Sequence, residues 1–356
     1  MENRLNVATL DHPHCITSRR LEEFAASEAA TDIDLELVAV SSLEAGLAVL
    51  SDGDVDLLAV PAGLLHGRQI EVFGAGCQVV GARVPHRLAR VLVSEDKVWY
   101  QPKGGIILCQ ERIVRRQLRR ARRGLRILSP TAYAGIHELG EIPDDARELA
   151  VWMEDLRGRG EIDGFVTSRE VYDSIRTGAR RHVLGVDPAE REGDRYLPVP
   201  YADLIVLIAR TGFRLGVGER LSELEGETVW WVHDNLVGGF SASELDRVAL
   251  LVRHRQVGAL MRQAEENFDL AMESTFHDPE GEMTGTEVHV EIRLELISDN
   301  GRHTLSVERV VPLAKMESAT VSLSHDWDRM LANVGSDLPA HPREGPATSA
   351  WIDLEE

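Results

Sequence analysis

Short apolar runs, each followed by an amphipathic stretch, recur from the first residues onward. Leu5 to Leu10 reads as a strand. The loop Asp11-His-Pro-His14 follows, and the spacing predicts a helix from about Ser18 to Ala30. Asp34 to Val40 alternates as a strand does. Ser41 and Ser42 open a helix with a serine as cap, and Glu44, three residues after Ser41, gives a capping-box signal. Asp54 to Val60 is nearly all apolar, as strands buried on both faces of a parallel sheet are. This order of strand, helix, strand, helix, strand defines an α/β unit.

Two further apolar segments, Ile70–Val80 and Leu88–Val93, carry this first unit to residue 100, with Asp96–Lys103 as a connector. A second α/β unit spans 103–196. It holds a strand at Ile106, an arginine-rich helix, the strand Leu125–Leu128, an apparent inserted loop Ser129–Asp145, a helix over about Ala146–Leu156 and the strand Ile162–Val166. That pattern has closed by Leu184, so the apolar run Leu204–Ala209 is expected to return to the first unit, which then comprises 1–100 plus 199–235. An α+β third unit covers 240–334. Ser241–Ala271 reads as a long helix, Val288–Ile297 and Thr304–Val311 as a hairpin about the turn Asp299-Asn-Gly301, and Trp327–Val334 as a last helix. Residues 335–356 read as a loose tail.

Charge changes the picture. The chain carries a formal net charge of −20, yet eight arginines fall between Arg112 and Arg126. The overall acidity argues against nucleic acid as the main partner. No apolar run approaches the roughly 20 residues that span a bilayer, so no membrane partner is expected. The N-terminal pattern enters a strand directly, without the regions of a signal peptide. Three cysteines (Cys15, Cys77, Cys109) make an odd number without metal-finger spacing, so no disulfide framework is expected and a cytoplasmic location fits.

The arginine run follows the strand at Ile106, so Glu111, Arg112, Arg115 and Arg116 sit near a strand-to-helix turn. Ligands of open α/β sheets gather at the carboxyl ends of strands, and helix N-termini favour anions. Arg112, Arg115 and Arg116 are therefore candidate holders of a small carboxylate-bearing ligand, with Glu111 beside them. Arg119 to Arg126 read as a solvated basic face. The loop after the first strand should face the same cleft. Its His12 and His14 are candidate proton carriers, with Asp11 alongside. No further ligand is identifiable that would make this loop a metal site. Ser41 and Ser42 open another helix that could meet an anion, though capping alone accounts for them. Cys109, near the start of the arginine helix, is either a nucleophile or a buried inert thiol. The pair Trp230-Trp231 reads as core or as cleft wall.

The order of elements resembles that of the porphobilinogen deaminase (hydroxymethylbilane synthase) family. Leu5-Asn-Val-Ala-Thr9 looks like the family's opening strand, and Asp56-Leu-Leu-Ala-Val60 like the strand that carries its catalytic aspartate. Val114-Arg-Arg-Gln117 is similar to the family's Leu-Arg-Arg-Gln, whose arginines hold substrate and cofactor carboxylates. Leu197-Pro-Val-Pro200 is similar to its crossover, and the Val288–Val311 hairpin to its third domain. The resemblance covers most of the chain. It implies two α/β domains of periplasmic-binding-protein type II kind around a cleft, plus a small α+β third domain.

The departures are equally specific. Where the family has His-Ser-x-Lys-Asp, this chain reads Val60-Pro-Ala-Gly-Leu64, with no carboxylate. The Gly-Thr-Ser-Ser lead-in to the arginine pair is replaced by Gln110-Glu-Arg-Ile113. No cysteine follows Cys109, so nothing can anchor a dipyrromethane, and no cofactor is expected. The resemblance then implies a diverged enzyme of specialised biosynthesis, transferase or lyase in type. It would act on a small, amino-acid-like carboxylate by elimination or group transfer, without making hydroxymethylbilane. The alternative is a non-catalytic two-lobed binding protein, or a scaffold for a protein partner.

Overall fold

A computed structural model describes residues 4–187, 195–213, 216–270, 276 and 287–337. Strands and helices are numbered in chain order. The first sheet runs β2 (Asp34–Val40), β1 (Arg4–Leu10), β3 (Leu57–Pro61), β10 (Ile205–Arg210), β4 (Cys77–Arg83). The second runs β7 (Arg126–Leu128), β6 (Ile106–Cys109), β8 (Gly164–Ser168), β5 (Arg90–Ser94), β9 (Arg181–Val183). The two orders are the same. In each, the first three strands are parallel and the fourth runs antiparallel to its neighbours. The central strands β3 and β8 are buried throughout, which is why they read as apolar runs. The fold class is the one implied above: two α/β units, each with a five-stranded mixed sheet, and a small antiparallel third unit.

Leu204–Ala209 does return to the first sheet, between β3 and β4. The converse exchange was not legible. β5, expected in the first unit, pairs with β8 and β9 of the second. Each sheet thus takes its antiparallel strand from the stretch adjoining the other unit, and periodicity alone cannot say which sheet an apolar strand joins.

Four local expectations are corrected. Ser129–Asp145 is no mere loop: it contains α5 (Pro130–His137), capped by the Ser129 hydroxyl with proline at its first position. The cap of α2 (Leu43–Asp52) is Ser42, which accepts from the Ala45 amide, and Ser41 precedes it. Ser241–Ala271 is broken into α9 (Ala242–Leu245), the strand β11 (Val248–Arg255) and α10 (Val257–Asn267). Val248, Leu250 and Val252 face one core while Ala249 and Leu251 face another. With both faces buried, β11 loses the alternation that marks a strand. The last helix is longer than expected, Met316–Asp337. Of the expected tail, residues 338–356 lie outside the described residues. Among the described residues no helix is long and apolar enough to cross a membrane.

The third sheet, β11 with β12 (His289–Ile297) and β13 (Thr304–Pro312), joins both other units. One face of β12 (Val290, Ile292, Leu294, Leu296) enters the core shared with the first unit and α8 (Leu224–Val237). Its opposite face meets α4 (Arg112–Ala121) of the second unit. The apolar stripe of α4, Val114, Leu118 and Ala121, packs into its own unit with Ile113. Its arginines reach the hairpin. Arg116, only 2% exposed, donates to the Ile297 carbonyl at 2.8 Å and pairs with Asp299, which Arg112 also meets at 3.2 Å. Arg119 donates to the Asp299 carbonyl at 2.6 Å, and Arg120 pairs at 3.1 Å with Glu295, which is wholly buried. Gly301 has φ +71°, and a Cβ there would lie 2.6 Å from the Arg120 amide nitrogen. The turn therefore needs glycine both for its backbone and for its approach to α4.

Removing one partner of a buried ion pair strands the other. Asp299→Ala should therefore destabilise the protein by about 3 kcal/mol, and Gly301→Val should do so by steric clash. Denaturant midpoints of both variants check this. Midpoints equal to wild type would show that the docking carries no weight.

Candidate functional site

The parallel strands of the second sheet end at Cys109, Leu128 and Ser168, and from these ends start α4, α5 and α7 (Arg169–Ser174). The loop after β1 reaches across from the first unit. Between them lies a cavity of about 700 Å³. Its floor is Ala134, Leu149, Met153 and Val166, and α6 (Ala146–Gly158) supplies two of these. His14, Gln110, Glu111, Thr131 and Thr167 add polar groups, and Glu141 and Asp144 stand on the lip.

The β1 loop is a tight turn. His12 and Cys15 exchange backbone hydrogen bonds of 3.1 and 2.8 Å. The Asp11 carboxylate accepts from the Ser18 amide at 2.8 Å and from its hydroxyl at 2.6 Å. It satisfies the start of α1 (Thr17–Ala25). The His12 Nδ1 accepts from the His14 amide at 3.3 Å, which places the proton of a neutral His12 on Nε2.

His14 Nδ1 lies 3.0 Å from the hydroxyl of Ser168. Ser168 is 2% exposed and its oxygen accepts from the Val171 amide at 3.2 Å. The Ser168 hydroxyl and the His14 Nδ1 share one hydrogen bond, whose donor is set by the imidazole tautomer. Burial pushes the His14 imidazole down from 6.5 to about 4; Arg90 and His12 act the same way, against Glu111 and Asp145. His14 is neutral at physiological pH and serves as a hydrogen-bonding group.

Burial alone would raise the Glu111 carboxyl. Arg90, whose Nε donates to it at 2.7 Å, and His14 outweigh that and hold it below the usual carboxylate range. Cys109, beside Glu111, is buried and its thiol is pushed up, by burial first and Glu111 next. A nucleophilic thiol needs the opposite shift.

The structure thus brings together only part of what the residue pattern suggested. His12, His14 and Glu111 meet at the inter-unit face. Arg112 and Arg116 turn to Asp299, and Arg115 donates to the Cys109 and Gln110 carbonyls at 2.9 and 2.6 Å. None of the three lines the cavity. The supposed solvated face is partly engaged as well: besides Arg119 and Arg120, Arg122 donates to the Trp99 and Gln101 carbonyls. Ser42 caps α2 and Ser41 precedes it, also outside the cavity lining. The pair Trp230 and Trp231 packs, partly buried, against the core. Among the described residues no three His, Cys, Asp or Glu side chains converge as a metal site.

Sequence reasoning missed Arg90, Ser168 and the Glu141–Asp144 lip. Ser168 had a signal, a serine closing the apolar run Gly164–Thr167 ahead of a helix. Arg90 had none, because its partner Glu111 is set by the fold.

Compared by sequence, the chain matches no protein-family profile and no curated protein. By fold it is similar to the periplasmic aliphatic sulphonate binding protein SsuA of Escherichia coli, at 16% identity over 77% of this chain and 78% of that one, with a TM-score of 0.32. It is also similar to the methionine binding protein MetQ, at 13% identity over 69% and 96% of the two chains, with a TM-score of 0.31. Lipoprotein Tp32 of Treponema pallidum shows 14% identity over 65% and 91%, with a TM-score of 0.32. These likenesses are too distant to bear on the ligand; the strand order carries the fold.

A histidine with a folded pKa below its unfolded one binds fewer protons when folded. Its contribution to stability is full above about pH 6.5 and lost as pH falls towards 4. His233, also buried and lowered to about 4, acts in the same direction. Denaturant midpoints should therefore fall between pH 7 and 4, and His14→Asn should reduce the slope by up to about 1.4 kcal/mol per pH unit. Equal slopes would show that His14 titrates normally.

Proposed function

We propose that the protein is a two-lobed binding protein that holds a small molecule in the cavity between α5, α6 and the His14 loop. The observation that carries this is the cavity itself, about 700 Å³ at the carboxyl ends of β6 and β8, with an apolar floor and a few convergent polar groups. Such a size and lining suit a small organic ligand.

The enzymatic reading, elimination or group transfer on a carboxylate, has less support. A general base works best with a pKa near the operating pH, and His14 sits far below it. Residues Ala62–Leu65, where the resembled family has its catalytic aspartate, form a single helical turn with Ala62 and Leu65 buried. The guanidiniums expected to hold a ligand carboxylate, those of Arg112, Arg115 and Arg116, are engaged elsewhere.

Gly135 lines the cavity, and a Cβ added there meets no atom within 4 Å. Gly135→Trp should fill the cavity and leave stability within about 0.5 kcal/mol. Ligands found by thermal-shift screening of a metabolite library should lose about tenfold or more in affinity in this variant, measured by calorimetry. Ligands that bind both proteins equally would place the site elsewhere.

A further inference from the structure

We infer that the ligand of this cavity is a cation with an apolar body: an amine, amidinium or quaternary ammonium compound. The inference rests on the cavity being the binding site. The residues lining it include Glu111, Glu141 and Asp144 but no lysine or arginine. Glu111 is balanced by Arg90 at 2.7 Å. His14 is neutral, its imidazole held near 4 by burial. The cavity therefore keeps two fixed negative charges, both on the exposed stretch between α5 and α6.

Helix N-termini attract anions, and α4, α5 and α6 all begin at this cavity. Two of those ends, of α5 and α6, are capped by the chain itself, while at the start of α4 Glu111 stands paired with Arg90 and caps no amide. Ser129 accepts from the Ala132 amide of α5. Asp145 accepts from the Arg147 and Glu148 amides of α6 at 2.9 and 3.0 Å. An anionic ligand would meet the Asp145 carboxylate at α6 and the Glu111 carboxylate beside α4. A cationic head on the lip would meet Glu141 and Asp144, while its apolar body covered Ala134, Leu149 and Met153. The net charge of −20 adds a field of the same sign.

The test uses three probes of one shape: phenethylamine, phenethyl alcohol and phenylacetate, titrated into the full chain by calorimetry at low and high salt. The amine should bind about tenfold tighter than the alcohol, and the carboxylate weakest, with salt narrowing the gap. The double variant E141Q/D144N should lose the preference for the amine and keep its affinity for the alcohol. Alcohol binding as tight as amine binding, or tighter carboxylate binding, overturns the ligand class and leaves the cavity standing. The same holds for a preference that survives E141Q/D144N. If no probe binds, or if all bind Gly135→Trp as well as wild type, the cavity reading falls and this inference with it.

Discussion

A single carboxylate, Asp299 at the tip of a hairpin, receives two arginines from a helix of another unit, one of them almost wholly buried. Around it the chain has arranged a close fit. The Gly301 backbone lies against that of α4, Arg119 holds the turn's carbonyl, and Arg120 meets the buried Glu295. A buried guanidinium is tolerated only where its charge and its donors are matched. The third unit therefore cannot leave α4 without exposing a mismatch on both sides. Its other face is built into the core of the first unit, so this hairpin ties the two lobes to a common support.

That tie explains the geometry of the cleft. With α4 held by the hairpin, its N-terminal end is fixed beside β5, and Glu111 is brought to Arg90. The His14 loop then finds Ser168 across the inter-unit boundary, and Arg19 of α1 meets Glu170 of α7 at 3.1 Å beside it. The cavity lies on the second unit and takes only His14 from the first. Its polarity follows from what the arginines do not do. Had they faced the cleft, the cavity would have been cationic. Turned towards the hairpin, they leave the cavity lining without a guanidinium.

The lobe architecture was largely legible. β2 falls where its alternation placed it, and β6, β7, α4 and α6 lie within a few residues of their expected positions. Amphipathic periodicity is imposed by one sheet face or one helix stripe meeting a core, so it survives in the residue order. β5 and β11 were misjudged for one reason. A short strand buried on both faces has no alternation, and nothing in it names its neighbours. The site was legible only as a location. The turn after β1 and the start of α4 do meet. The roles of Asp11, Arg112 and Arg116 went to a helix start and a hairpin that local pattern could not foresee.

By itself, the sequence determined the α/β character, the two similar halves and the reversal of charge at α4. These depend on residues near one another in the chain. Tertiary structure alone decided the partners of the arginines, the burial that keeps His14 neutral, and which side chains line the cavity. Those outcomes depend on ion pairs such as Arg116–Asp299, whose members stand far apart in the chain. Only the packed chain brings such charges within the few ångströms at which they act strongly.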